Sequence, residues 1–284
     1  MLYFTGDLHG SMRNLQHRYE TIQFYNEDER ETSQEEDYLI VCGDFGFVWF
    51  EDNSPYYYDE QQELNDMENL PITICFVDGN HENFHRLNDY PVENWHGGRV
   101  HRLRKNVVHL MRGEVFNICG KTILAFGGAP SHDIAGIASD FDLKQNYAAG
   151  VLDRDDVNYG ERCHLCNVRG IFYRTKNLDW WAEEMPTSED VINAYGNLPE
   201  DNKVDYIVTH EAPLSVVHQL LALKGIKLDF DKDTYRLSKV LQAFKEIINY
   251  KKWYCGHYHQ NKRLNDNIEC LYHSVVWEAD NVSY

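Results

Sequence analysis

Asp7 and His9 stand one residue apart just past the first apolar run of the chain, in "TGDLHG" (5–10). In an extended backbone, residues i and i+2 point to the same side, so this pair can address one object. Comparable polar groups follow four later apolar runs. Asp44 comes after "YLIVCG", Asn80 and His81 after "ICFVDG", His210 after "DYIVT", and His257 and His259 after "KWYCG". A lone aspartate past a strand is an ordinary turn or helix cap, and a lone histidine is an ordinary structural residue. Eight such groups at five run ends are not explained by turn chemistry.

Imidazole nitrogens together with carboxylate oxygens suit borderline divalent cations such as Mn, Fe, Zn, Co or Ni. No cysteine stands among them, which argues against a structural zinc site. The set exceeds what one tetrahedral ion needs and suits two ions sharing a bridging carboxylate. Two metals about 3.5–4 Å apart are the usual arrangement for in-line displacement at phosphorus. They hold the phosphoryl oxygens and lower the pKa of a bridging water, giving hydroxide at neutral pH. The leaving oxygen then needs a proton, and a histidine not spent on metal is the natural donor.

In this order, "GDLHG", "GDFG", "GNHE", "THEAP" and "GHYH" resemble the five sequence blocks of the calcineurin-like metallophosphoesterase superfamily, over residues 6–259. The resemblance implies a four-layer α/β/β/α sandwich with two central mixed β-sheets and a dinuclear centre of divalent ions, manganese foremost. It also implies a split of the ligands. Asp7, His9, Asp44 and His259 would hold one metal, and Asp44 would bridge to a second held also by Asn80, His210 and His257. His81 would then be the general acid beside the leaving group.

The chain departs from one branch of that superfamily. Ser/Thr protein phosphatases extend the second block with an aspartate and a phosphate-binding arginine, where this chain has Phe47 and Val48. Candidates for a phosphate clamp are Arg86, after "GNHENFH", and Arg112, in "HLMRGE". "GGAPSHD" (127–133) follows another apolar run, so His132 and Asp133 are candidate neighbours of the site. "CHLC" (163–166) is a single C-x-x-C pair and a weak zinc signal. The aromatics of "NWHGG" (94–98) and the tryptophans at 180 and 181 read as packing residues in loops.

The elements that must position these groups are short and apolar. The runs 2–7, 38–44, 72–80, 121–129, 204–213 and 251–259 lack alternation, as strands buried on both faces do. Helical segments lie between several of them: from about Ser11 through Glu29, from Pro55 to Asn69, and one capped by Ser188. A last helix places Tyr235, Val240, Leu241, Phe244, Ile247 and Ile248 on one stripe. Strands alternating with helices indicate an α/β layered domain. Residues 107–128, with turns at Gly113 and Gly120, read as an antiparallel meander, so the sheets are mixed. The expected organisation is one domain over residues 1–284, with an irregular insertion or cap around 132–186.

Composition narrows the partners. With 27 basic against 46 acidic residues the formal charge is −19, which disfavours an extended duplex or an anionic membrane. A small phosphorylated substrate or nucleotide remains compatible. No apolar stretch is long enough to span a bilayer and no signal-peptide pattern opens the chain, and the seven scattered cysteines suit a reducing compartment, so a cytoplasmic protein is expected. The leading expectation is a metal-dependent phosphoesterase acting on a monoester or diester. Its rivals are a noncatalytic metal-binding scaffold, a phosphoprotein phosphatase and a single-metal hydrolase of other esters.

Overall fold

Three four-residue strands, β1 (Leu2–Thr5), β2 (Tyr38–Val41) and β3 (Thr73–Phe76), are buried at every position. They pair in parallel, Phe4 opposite Ile40 and Ile40 opposite Cys75. Burial on both faces is what their unbroken apolar composition requires. The computed structural model describes residues 1–29, 36–131, 150–223, 235–265 and 267–277. His132, Asp133 and the first part of the expected cap lie outside the described residues.

The first sheet adds β4 (Val92–Trp95), β5 (Gly98–Arg104), β6 (Val107–Leu110) and β15 (Val275–Trp277), in the order β15-β1-β2-β3-β6-β5-β4. Its centre is parallel and its edges antiparallel. The second sheet contains β7 (Glu114–Ile118), β8 (Lys121–Phe126), β11 (Lys203–Thr209), β12 (Asn249–Cys255), β13 (Lys262–Asn265) and β14 (Ile268–Cys270). Its order is β13-β14-β12-β11-β8-β7, again parallel inside and antiparallel at both edges. Both sheets are mixed. The stretch 107–128 is not one meander, however. β6 belongs to the first sheet and β7 to the second, so the turn at Gly113 crosses between sheets and only β7 and β8 form a hairpin.

Successive residues of each strand face opposite layers. Phe4, Ile40, Cys75 and Val108 meet Ile123, Ala125, Tyr206 and Tyr254 between the sheets. There the Phe4 ring stacks on Tyr254 at 4.3 Å. Tyr3, Leu39 and Ile74 turn the other way, onto Leu15 and Ile22 of α1 (Met12–Glu29) and Leu64 and Met67 of α2 (Tyr57–Met67). Leu124, Ile207 and Trp253 pack under α5 (Ser188–Asn197), α6 (Leu214–Leu223) and α7 (Arg236–Ile247). Three apolar seams between four layers are the α/β/β/α sandwich. On α7 the stripe is carried by Leu237, Leu241 and Phe244, while Ile247 is 47% exposed. The cap of α5 is Thr187 rather than Ser188, reciprocating with Asp190 in a capping box.

Smaller elements complete the chain. α3 (Phe84–Asp89) follows β3, and its cap Asn83 accepts from the Arg86 N–H. Between β8 and α5, β9 (Val151–Leu152) and β10 (Arg174–Thr175) form a two-stranded parallel ribbon around α4 (Tyr159–Arg169). A 3₁₀ turn at Ala182–Glu184 returns the chain to the sandwich, where buried Glu184 accepts from Ser131 N (2.8 Å) and Oγ (2.6 Å).

Candidate metal centre

β1, β2 and β3 run parallel in one sheet and β11 and β12 in the other, so their carboxyl ends can supply one site. Asp7, Asp44, Asn80 and His81 come from the first sheet, and His210, His257 and His259 from the second. Backbone hydrogen bonds interlock these ends. Leu8 and His9 N–H both donate to the Asp44 carbonyl (3.0 and 2.9 Å), and Gly256 N–H donates to the His210 carbonyl (3.0 Å). The His257 N–H reaches Asp7 Oδ1 at 3.2 Å.

The strands stop before the polar residues begin, β1 at Thr5 and β12 at Cys255. His9, Asp44, His257 and His259 all adopt left-handed backbone, with φ of 50°, 49°, 67° and 50°. An extended i, i+2 pair is therefore not how Asp7 and His9, or His257 and His259, come to their common region. A left-handed turn brings them there, at about 1–2 kcal/mol of backbone strain for each non-glycine residue. Gly79 permits the closest approach: a Cβ there would lie 2.1 Å from Asp44 Oδ1.

Four of the predicted residues, Asp7, His9, Asp44 and His259, each offer one ligand atom, all within 4.8 Å of one another. His9 Nε2 faces His259 Nε2 at 3.0 Å, and His259 Nε2 is 3.8 Å from Asp7 Oδ1. Asp44 stands between this group and a second one. Its Oδ2 lies 3.8 Å from His9 Nδ1 and its Oδ1 3.1 Å from His210 Nε2. Oδ1 also accepts from the N–H groups of Asn80 (2.9 Å) and His81 (3.0 Å). The His257 ring meets His210 edge-on at 5.0 Å.

The protonation states expose what this cluster lacks. His210 is fully buried, and its Nδ1 lies 2.7 Å from the Cys42 carbonyl, to which it must donate. Its Nε2 then carries a lone pair towards Asp44 Oδ1, and two electron-rich atoms at that separation need a proton or a cation between them. Burial opposes charge on His210, but Asp44 outweighs it and raises the imidazole to about 10. Burial, and then Asp44 against the pull of His210, raise Asp7 to about 7. His9 is lowered to about 4, by burial first and by His81 and His259 next. Asp7 Oδ2, Asn80 Oδ1 and His210 Nε2 are buried without a hydrogen-bond partner among the described residues. Unsatisfied buried oxygen and imidazole donors beside the Asp7, His9, Asp44 and His259 group are of the kind a borderline divalent cation fits.

His81 is half-buried beside this group. Its ring meets His9 edge-on at 4.9 Å and stacks on Trp49 at 5.6 Å, and Trp181 packs edge-on against Trp49 at 5.3 Å. The two arginines are occupied elsewhere. Arg86 binds the Phe50 carbonyl and Glu60 and lies over the Tyr57 ring. Arg112 holds Asp78, at 2.9 Å through Nε, and the Glu183 carbonyl at 2.8 Å. As placed, both guanidinium groups serve the protein's own oxygens. Trp95 and His96 end β4 and turn into β5, with Trp95 packed on Phe116.

Sequence reading passed over two buried acids beside these loops. Glu82 is fully buried and accepts from the N–H groups of Phe45 (2.7 Å), Gly46 (3.3 Å) and Gly79 (2.7 Å). It ties the loop bearing Asp44 to the loop bearing Asn80 and His81. Asp78 is held ionised by Arg112 and His109. The available signal was the pair of acids that brackets the glycine, asparagine and histidine of "DGNHE" (78–82).

A layered α/β sandwich that gathers metal-fitting side chains at its strand ends defines a candidate metalloprotein. Residues 2–261 match the family model of the calcineurin-like phosphoesterases, and the chain belongs to that family, whose chemistry is metal-dependent phosphoester hydrolysis. No curated protein matches the chain. No helix among the described residues is long and apolar enough to cross a membrane.

Proposed function

We propose that the chain hydrolyses a small phosphomonoester or phosphodiester, a nucleotide among the candidates, using two divalent ions. Asp7, His9, Asp44 and His259 would hold one ion, and Asn80, His210 and His257 the other, with Asp44 shared. The observation that carries this reading is the position of Asp44, one oxygen 3.8 Å from His9 and the other 3.1 Å from His210, with unsatisfied buried donors around it. Bound there, divalent ions, manganese foremost, would neutralise phosphoryl oxygens and generate a nucleophile from water at neutral pH.

The chain's own residues supply the rest. His81 has no side-chain hydrogen bond to a described residue, so its ring is free to give a proton to the leaving oxygen. Its backbone N–H to Asp44 and its stacking on Trp49 fix where that proton is delivered. The acidic surface supports a small substrate over an extended duplex. Seven cysteines without disulfides support a reducing, cytoplasmic setting.

The test is turnover of a chromogenic phosphodiester and a chromogenic monoester after chelation and addition of Mn²⁺, with metal content measured alongside. Hydrolysis restored by metal, and lost in His81→Ala while two ions per chain remain bound, is the expected result. Metal bound with both esters untouched would favour the noncatalytic scaffold. One ion per chain would favour the single-metal reading.

A further inference from the structure

His259 is the one exposed member of the group formed with Asp7, His9 and Asp44. Its side chain is 45% exposed, so burial alone does not hold the imidazole towards the other three. A ring from elsewhere in the chain lies against it. Tyr272 stacks on His259 with centroids 4.6 Å apart and planes within 16° of parallel.

Tyr272 stands in the short connection between β14 and β15, and that connection is tied down from two directions. From the first, the carboxamide oxygen of Asn261 accepts three successive backbone N–H groups, those of Tyr272 (2.8 Å), His273 (3.0 Å) and Ser274 (3.1 Å). Asn261 follows His259 by two residues, so the histidine loop and the tyrosine loop are joined next to the stacked pair.

From the second comes Arg18 of α1. Its Nη2 donates to the Tyr272 carbonyl at 3.0 Å and lies 3.2 Å from His273 Nδ1. Its Nε donates to Thr5 Oγ1 and its Nη1 to the Asn14 carbonyl, both at 3.3 Å. Thr5 Oγ1 donates in turn to the Ser274 carbonyl at 2.9 Å. Arg18 is only 1% exposed, yet these bonds go to carbonyls, a hydroxyl and an imidazole and none goes to a carboxylate. A buried charge without a counter-ion is costly. Here the guanidinium fastens α1, the end of β1 and the Tyr272 connection to one another.

We propose that Tyr272 is a positioning residue for His259, and that Arg18 acts on His259 through it. The stacked ring fixes the plane of an imidazole that solvent would otherwise leave free to turn. It thereby holds His259 Nε2 towards Asp7 Oδ1 (3.8 Å) and His9 Nε2 (3.0 Å). Without that wall the side chain would lose its rotamer freedom on taking up an ion, and affinity would fall accordingly. The proposal rests on the two-ion reading above, in which His259 is a ligand.

The experiment is calorimetric titration of the chelated full chain with Mn²⁺, in the parent, Tyr272→Ala, Tyr272→Phe, Arg18→Lys and the Tyr272→Ala/Arg18→Lys double variant. Tyr272 is only partly buried, so its variants carry the test in folded protein, checked by the unfolding midpoint of the chelated chain. One of the two ions should bind about fivefold more weakly to Tyr272→Ala, with the other changed by less than about twofold. Tyr272→Phe keeps the ring and should match the parent. Arg18→Lys should weaken the same ion and add nothing further in the Tyr272→Ala background; an additive loss would overturn the part given to Arg18. Unchanged affinity in Tyr272→Ala, equal weakening of both ions, or a Tyr272→Phe as weak as Tyr272→Ala would each overturn the proposal and leave the two-ion reading standing. A parent chain that takes up no Mn²⁺ would overturn that reading and this proposal with it.

Discussion

Replacing Glu82 by glutamine tests what holds the metal-centre loops together. The wild-type carboxylate accepts three backbone N–H groups, at 2.7 and 3.3 Å on Oε1 and 2.7 Å on Oε2. A glutamine can keep its oxygen towards Phe45 and Gly46, but its NH₂ then faces the Gly79 N–H, donor against donor. Losing a charge-assisted bond of about 1.5–3 kcal/mol and leaving a buried donor unsatisfied for about 1–3 kcal/mol gives a gross cost of ~4 kcal/mol. Some of this is recovered. Burial, with Asp44 and Asp78, raises the carboxyl to about 8, so at neutral pH much of it already carries a proton and the charge-assisted bond is only partly present to lose. A net loss of about 2 kcal/mol is expected in chelated protein at neutral pH, read as a lower denaturant midpoint with unchanged slope. Because the Asp44 and Asn80 loops are joined through this residue, metal affinity should fall with stability. A variant within about 0.5 kcal/mol of the parent, a typical surface-substitution effect, would refute the role assigned to Glu82.

Asp78→Asn leaves Arg112 and His109 without their carboxylate and should cost about 3–5 kcal/mol by denaturant unfolding. Asp78 is held below its ordinary range, so its contribution is complete above about pH 4 and fades as the pH falls further; the variant should lose less stability than the parent across that acid limb. Trp49→Ala removes the ring stacked on His81 and should lower kcat about tenfold or more with metal content unchanged, while Trp49→Phe restores most of it. Gly79→Ala sets a methyl 2.1 Å from Asp44 Oδ1, so metal content measured by elemental analysis should collapse even in protein that remains folded.

Much of the site was legible because strand ends in layered α/β folds converge whatever their loops do. An apolar run followed by glycine and a polar donor marks such an end directly. Asp7, His9, Asp44 and His259 could therefore be gathered although 252 residues separate the first from the last. Contacts made by the tertiary fold left no such trace. Asp78 finds Arg112 and His109 only because β3 and β6 are neighbours in the first sheet, and Glu82 reaches Phe45 only because two loops touch. Arg86 looked available beside "GNHENFH", yet the fold sets Glu60 of α2 against it. The hairpin of β4 and β5 escaped notice because β4 is mostly exposed and lacks an apolar run.

The left-handed residues say why the right side chains were chosen for a geometry that was not theirs. In a strand, His9 would lean the same way as Asp7 and make no sharp turn; with φ at 50° it folds back beneath Asp44, whose carbonyl takes its N–H. Asp44, His257 and His259 repeat the device. Four such residues together hold several kcal/mol of strain, and strain of that size persists only where surrounding contacts fix it. Here those contacts are backbone hydrogen bonds between the strand ends themselves, Leu8 and His9 to Asp44 and Gly256 to His210. They join the loops that carry the candidate ligand atoms, so the strain in those loops is balanced by the protein's own backbone.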